Sequence, residues 1–138
     1  MNEMLNAYRS SRAISAEYSS PYELVKMLFD GSLERTARAL GHMERGEIAL
    51  KGECLSRVVG MVSHLRESLD PAVGDGSIAQ NLDALYDYIL RRVTEANLYN
   101  DKAALEEVRK LLGELRDAWC QISPEQRDPA TAAAAQQS

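Results

Sequence analysis

At 138 residues the chain has room for one domain with a sizeable core. A net charge of −5 argues against nucleic acid as the main partner, since phosphate backbones call for a concentrated basic face. No apolar run approaches the roughly 18 residues of a membrane span, and the N-terminus lacks the basic-then-apolar layout of a secretory leader, so membrane insertion and export of this chain are set aside.

The opening stretch, Met1 to Tyr18, is short and weakly periodic, but Met4, Leu5, Tyr8 and Ile14 give it enough apolar character to dock on the rest. The first long segment starts at Ser20-Pro21-Tyr22-Glu23, where Ser20 can cap, Pro21 suits the first turn and Glu23 completes a capping box. Val25, Leu28, Phe29, Ser32, Leu33, Ala39, Leu40 and Met43 hold a helical spacing up to a stop at Gly46. The second begins near Glu47, carries Ile48, Leu55, Val58, Val59, Val62, Leu65 and Leu69 on its stripe, and ends at Asp70-Pro71. Gly74-Asp75-Gly76 reads as a turn. The third runs from about Ser77 to Asn97 with Ile78, Leu82, Leu85, Ile89, Val93 and Ala96 on one face. The fourth, capped by Asn100 or Asp101, presents Leu105, Val108, Leu112, Leu115, Trp119 and Ile122 and closes at Ser123-Pro124. The Ala/Gln tail has nothing to bury and is expected to be disordered.

No segment alternates with period two. Short connections make consecutive helices antiparallel neighbours, so the pattern predicts an all-α fold, an up-down four-helix bundle with a short N-terminal segment docked on it. Residues 1–19 form the docking segment, 20–122 the bundle and 123–138 the tail.

Catalytic chemistry finds no footing. His42 and His64 belong to no Glu-x-x-His pair, so the di-metal site of some bundles has no ligand set, and no metal or other cofactor is expected. Cys54 and Cys120 lie far apart without metal-type spacing or a nucleophile signature, and read as buried thiols of a reducing cytosol. Gly74-Asp75-Gly76 is too short to cradle phosphate. Asp87 and Arg91 can pair along a helix surface, which is worth a few tenths of a kcal/mol at best. The chain is expected to be no enzyme.

The apolar stripes are wider than a two-layer bundle requires. Tyr86 and Leu90 extend the third to roughly 140° of arc, Cys54 and Met61 widen the second, and Leu111 and Ala118 the fourth. Either a small bundle wraps wide stripes under its N-terminal segment, or grooves between helices stay apolar to receive an amphipathic partner.

These residues also form a motif set. Ser20-Pro21-Tyr22-Glu23-Leu24 with Met27-Leu28-Phe29-Asp30-Gly31 resembles the first-helix signature of the FliS family, the flagellin export chaperones. Ile78-Ala79-Gln80-Asn81-Leu82, Leu85-Tyr86-Asp87-Tyr88, Leu90-Arg91-Arg92 and Glu95-Ala96-Asn97-Leu98 resemble its third-helix signature almost throughout. Asn100-Asp101, Leu115 to Trp119 and Ala7-Tyr8-Arg9 extend the resemblance over roughly residues 5 to 122. Phe29 stands where that family usually has Tyr, and Gly76-Ser77 where Gly-Glu is common.

The resemblance implies a bundle in the bacterial cytosol that covers the disordered C-terminal segment of flagellin, blocks premature polymerisation and delivers the subunit to the flagellar type III export gate. It further implies that Leu5 and Tyr8 act as a plug that flagellin replaces. The groove is then expected at Leu82, Tyr86, Ile89, Leu90 and Val93, with Met61, Val62 and Leu65 opposite, although Leu82, Ile89 and Val93 are equally placed to be core. The competing reading, from a different class, is a structural or regulatory bundle that forms a homodimer through the same apolar surface.

Overall fold

Helix boundaries follow from local chemistry. The computed structural model describes residues 3–9, 21–73 and 75–122, and among these five helices run α1 (Glu3–Arg9), α2 (Pro21–Glu44), α3 (Ile48–Glu67), α4 (Ser77–Tyr99) and α5 (Lys102–Cys120). The Ser20 cap, Ile14, part of the Gly74-Asp75-Gly76 turn and the tail from Ser123 lie outside the described residues. Between α4 and α5 the two candidate caps divide the work. Asn100 takes a left-handed φ of 53° and ends α4, while the Asp101 carboxylate accepts the Ala104 N–H at 3.1 Å and starts α5. Gly76 sits at φ 81°, and a side chain there would approach the Pro71 carbonyl to 2.9 Å, so this turn is closed to any other residue.

The four long helices form a ring. α2 packs against α3 and α5, and α4 packs against the same two, which is the up-down antiparallel arrangement the stripes predict. Val25, Phe29, Val58, Val62, Leu65, Ile89, Val93, Leu105, Val108 and Leu112 meet inside it. Ser32 and Thr36 are buried among them without polar partners across the core, because each hydroxyl donates to the carbonyl one turn back at 2.7 Å. Ion pairs lace the seams: Arg116 to Asp30 at 2.8 Å, Arg66 to Asp83 at 2.7 Å, Arg92 to Glu107 at 2.8 Å. Exposed pairs of this kind contribute about 0–1 kcal/mol each, so apolar burial at about 1.5–3 kcal/mol per large side chain is what holds the ring.

Two residues of the second stripe depart from expectation. Ile48 and Val59 are 71% and 37% exposed. Val59 follows buried Val58 and, one helical step further round, lines the side of α3 that faces α4 rather than the core. Ile48 is the first residue of α3, at the end of the ring.

Lys51 is the unexpected core member, only 2% exposed. Its ammonium donates to the Asn97 carbonyl at 3.2 Å and to the Asn100 side-chain oxygen at 2.9 Å, so a cation from α3 closes the C-terminal turn of α4. Lys51→Met keeps the stem length but strands both acceptors, and is expected to lower stability by about 1–3 kcal/mol in urea denaturation. An unchanged midpoint would show that water takes over the capping.

Candidate functional site

The aromatic seat of α1 comes first. α1 packs on α4 and α2, which lie diagonally across the ring, so it crosses the end of the bundle rather than extending a wall. Leu5, Ala7 and Tyr8 are buried there. The Tyr8 ring meets Trp119 edge-on at 5.5 Å, Tyr22 stacks on the same indole at 5.5 Å, and Phe29 lies tilted beside it at 6.5 Å. The indole N–H donates to the Tyr22 carbonyl at 3.0 Å. The Tyr8 and Tyr86 hydroxyls hydrogen-bond to one another, and the Asp70 N–H, in the loop after α3, donates to the Ala7 carbonyl at 2.8 Å. Burial, followed by the neighbouring Tyr86, pushes the Tyr8 hydroxyl far above the usual phenol range, and burial raises Tyr86 as well. Both stay neutral at any physiological pH, so the pair acts as a hydrogen bond and not as an acid or base.

The second surface is open. An apolar groove of about 370 Å³ runs between α3 and α4, lined by Leu55, Ser56, Val59, Val93, Thr94, Asn97 and Leu98. Leu98 and Tyr99 beyond it are 70% and 73% exposed. The ring's antiparallel course puts this groove near the Gly46 turn, toward the opposite end from Asp70 and α1.

The sequence-expected groove residues divide between these places. Val93 forms part of the open groove, and Tyr86 forms the polar floor beneath Tyr8. Ile89, Val62 and Leu65 are fully buried, so a partner does not reach them while the ring is closed; their side chains lie at the centre of stripes that four helices share. Leu82 and Leu90 are partly buried against the core. Met61 turns toward α2, where its sulfur would lie 2.9 Å from a side-chain carbon built on Gly31. Leu5 and Tyr8 are seated together. Trp119 and Tyr22 were missed as site residues, although a lone Trp ending the fourth stripe signals an aromatic anchor. Leu98 and Tyr99 were missed too, and their signal is an apolar pair off the Ile89-Val93-Ala96 face.

Among the described residues no group of three His, Cys, Asp or Glu side chains is arranged to hold a metal ion, and no helix is long and apolar enough to cross a membrane. His42 accepts or donates at Glu47, 3.1 Å away, on the surface. The arrangement offers contact area and hydrogen bonds.

Comparison with known proteins agrees in kind. A family model described as flagellar protein FliS matches residues 4–126. The chain is 44% identical over 122 residues to the flagellar secretion chaperone FliS of Salmonella typhimurium, covering 87% of this chain and 90% of that protein. It is 43% identical to the flagellar secretion chaperone FliSB of Pseudomonas aeruginosa, covering 80% and 89%, and 31% identical to the flagellar secretion chaperone FliS of Bacillus subtilis, covering 89% and 91%.

Proposed function

The chain belongs to the FliS family of flagellar proteins, and from that premise we propose that it binds the C-terminal segment of flagellin in the bacterial cytosol, keeps it from polymerising and hands it to the flagellar export gate. Its role in the flagellum is that of an export chaperone. It works by covering surface and makes no covalent bond.

The observation that carries this reading is apolar side chain left outside the core along the α3–α4 seam, at Val59, Leu98 and the groove between them. A disordered segment that folds on binding must offset its ordering entropy, and needs a long apolar track to do so. The open groove supplies one part. The seat of α1 supplies another once Leu5 and Tyr8 are displaced. Within the expected contact set, the guest reaches Tyr86 after α1 leaves and lies over Val93, which is buried at the base of the groove; Leu82 and Leu90 are partly buried against the core, Met61 faces α2 rather than the track, and Ile89, Val62 and Leu65 support the track from the core.

Titration with a flagellin C-terminal fragment tests the proposal, with micromolar or tighter binding expected. Leu98→Asp should weaken that binding about tenfold, the scale of a lost apolar interface contact. It should leave the thermal midpoint in place, because Leu98 is 70% exposed. Absence of binding together with a stable homodimer would favour the self-association reading instead.

A further inference from the structure

α1 has only seven residues, too few to persist as a helix without its seat, so the seat dictates what can occupy it. Apolar contact is one part of that demand, through Leu5 and the small Ala7. Two polar groups add a register. Beyond the end of α3 the N–H groups of Ser68 and Leu69 turn back to His64 and Arg66, but that of Asp70 reaches across to Ala7. One residue further along α1, the Tyr8 hydroxyl meets that of Tyr86, which is fully buried and takes Tyr8 as its hydrogen-bond partner among the described residues. An occupant that fills this space with hydrocarbon alone strands the Tyr86 hydroxyl in a dry aromatic surround, a loss of about tenfold in occupancy.

Resting on the chaperone reading above, we propose that Tyr86 is a specificity-determining residue of the α1 seat: it selects a client helical turn with an apolar residue and, three positions on, a hydroxyl or carboxamide side chain that replaces the Tyr8 bond. Exchange of α1 for such a turn conserves the buried hydrogen bond, so the seat discriminates among amphipathic segments that apolar area alone treats alike. The spacing is that of Leu5 and Tyr8 themselves.

The test uses the full chain with Tyr8→Phe, and with Tyr8→Phe and Tyr86→Phe together, titrated with the flagellin C-terminal fragment. Emission of Trp119, the sole Trp, which touches Tyr8, reports separately whether α1 is docked. Tyr8→Phe strands Tyr86 only while α1 is seated, so it should tighten fragment binding about tenfold. Adding Tyr86→Phe leaves α1 with no unpaired hydroxyl but strands the client's polar group, so the double variant should bind about tenfold more weakly than the unaltered chain. A double variant that binds more tightly than the unaltered chain overturns the proposal, because the client then ignores Tyr86. No binding by the unaltered chain, with its Trp119 emission normal, removes the chaperone reading and this inference with it.

Discussion

Trp119→Ala is expected to cost about 3–5 kcal/mol of stability and to release α1 from the bundle. The indole is fully buried and is the one group that Tyr8, Tyr22 and Phe29 all touch. Its removal leaves a cavity at the junction of three elements, and deprives the Tyr22 carbonyl of the indole N–H. Domains of this size have about 5–15 kcal/mol in total, so the loss is a large share of the whole. Urea denaturation followed by circular dichroism reads it without relying on the missing fluorophore. Trp119→Phe keeps an aromatic ring but not the donor, and should cost less than the alanine variant. Uptake of an apolar dye should rise in the alanine variant, since α1 loses the edge-on contact that seats Tyr8. An alanine variant with the unaltered midpoint and no dye uptake would mean that the cradle holds nothing.

The ring of four helices was legible in the sequence because every break carries its own chemistry: Gly46, Asp70-Pro71, Gly76 and the Asn100-Asp101 pair stand where the chain turns. Periodicity also places Val58, Val62, Leu65, Ile89 and Leu112 inside. Its limit is that it gives an angle around one helix, not the neighbour met at that angle. Met61 and Leu65 share a wide stripe, yet Met61 faces Gly31 of α2 while Leu65 enters the core. The same limit hid the open groove, since Leu98 protrudes only because α4 runs on beside the start of α3. Lys51 reads as a surface residue by type, and becomes core because the carbonyl end of α4 arrives beside it. The family resemblance points to Leu5 and Tyr8 together, but the chemistry beneath them has no linear signature. Tyr8 and Tyr86 are 78 residues apart, and the Asp70 contribution is a backbone amide, which every residue but proline carries.

Tyr86→Asp is expected to destabilise the folded chain by about 3 kcal/mol or more, whereas a residue lining an open groove would accept the charge. The aromatic ring is lost from beneath Tyr8, and a carboxyl group takes its place at a fully buried position where Tyr86 has the Tyr8 hydroxyl as its hydrogen-bond partner among the described residues. The pH dependence gives the location away. Burial raises the folded-state pKa of such a carboxyl above its unfolded value of about 3.9. Below that value both states hold the proton and only the packing loss remains. As pH rises above it the unfolded chain ionises while the buried group does not, and the variant loses up to about 1.4 kcal/mol per pH unit until the folded-state pKa is reached. The stability gap to the unaltered chain should therefore widen between pH 4 and pH 6 in urea denaturation. A gap that stays constant over that range would mean the aspartate reaches water, which it can do only if α1 has left its seat. In that case the variant should also take up apolar dye as readily as Trp119→Ala does. Either result measures how much of the burial of position 86 depends on the helix that covers it.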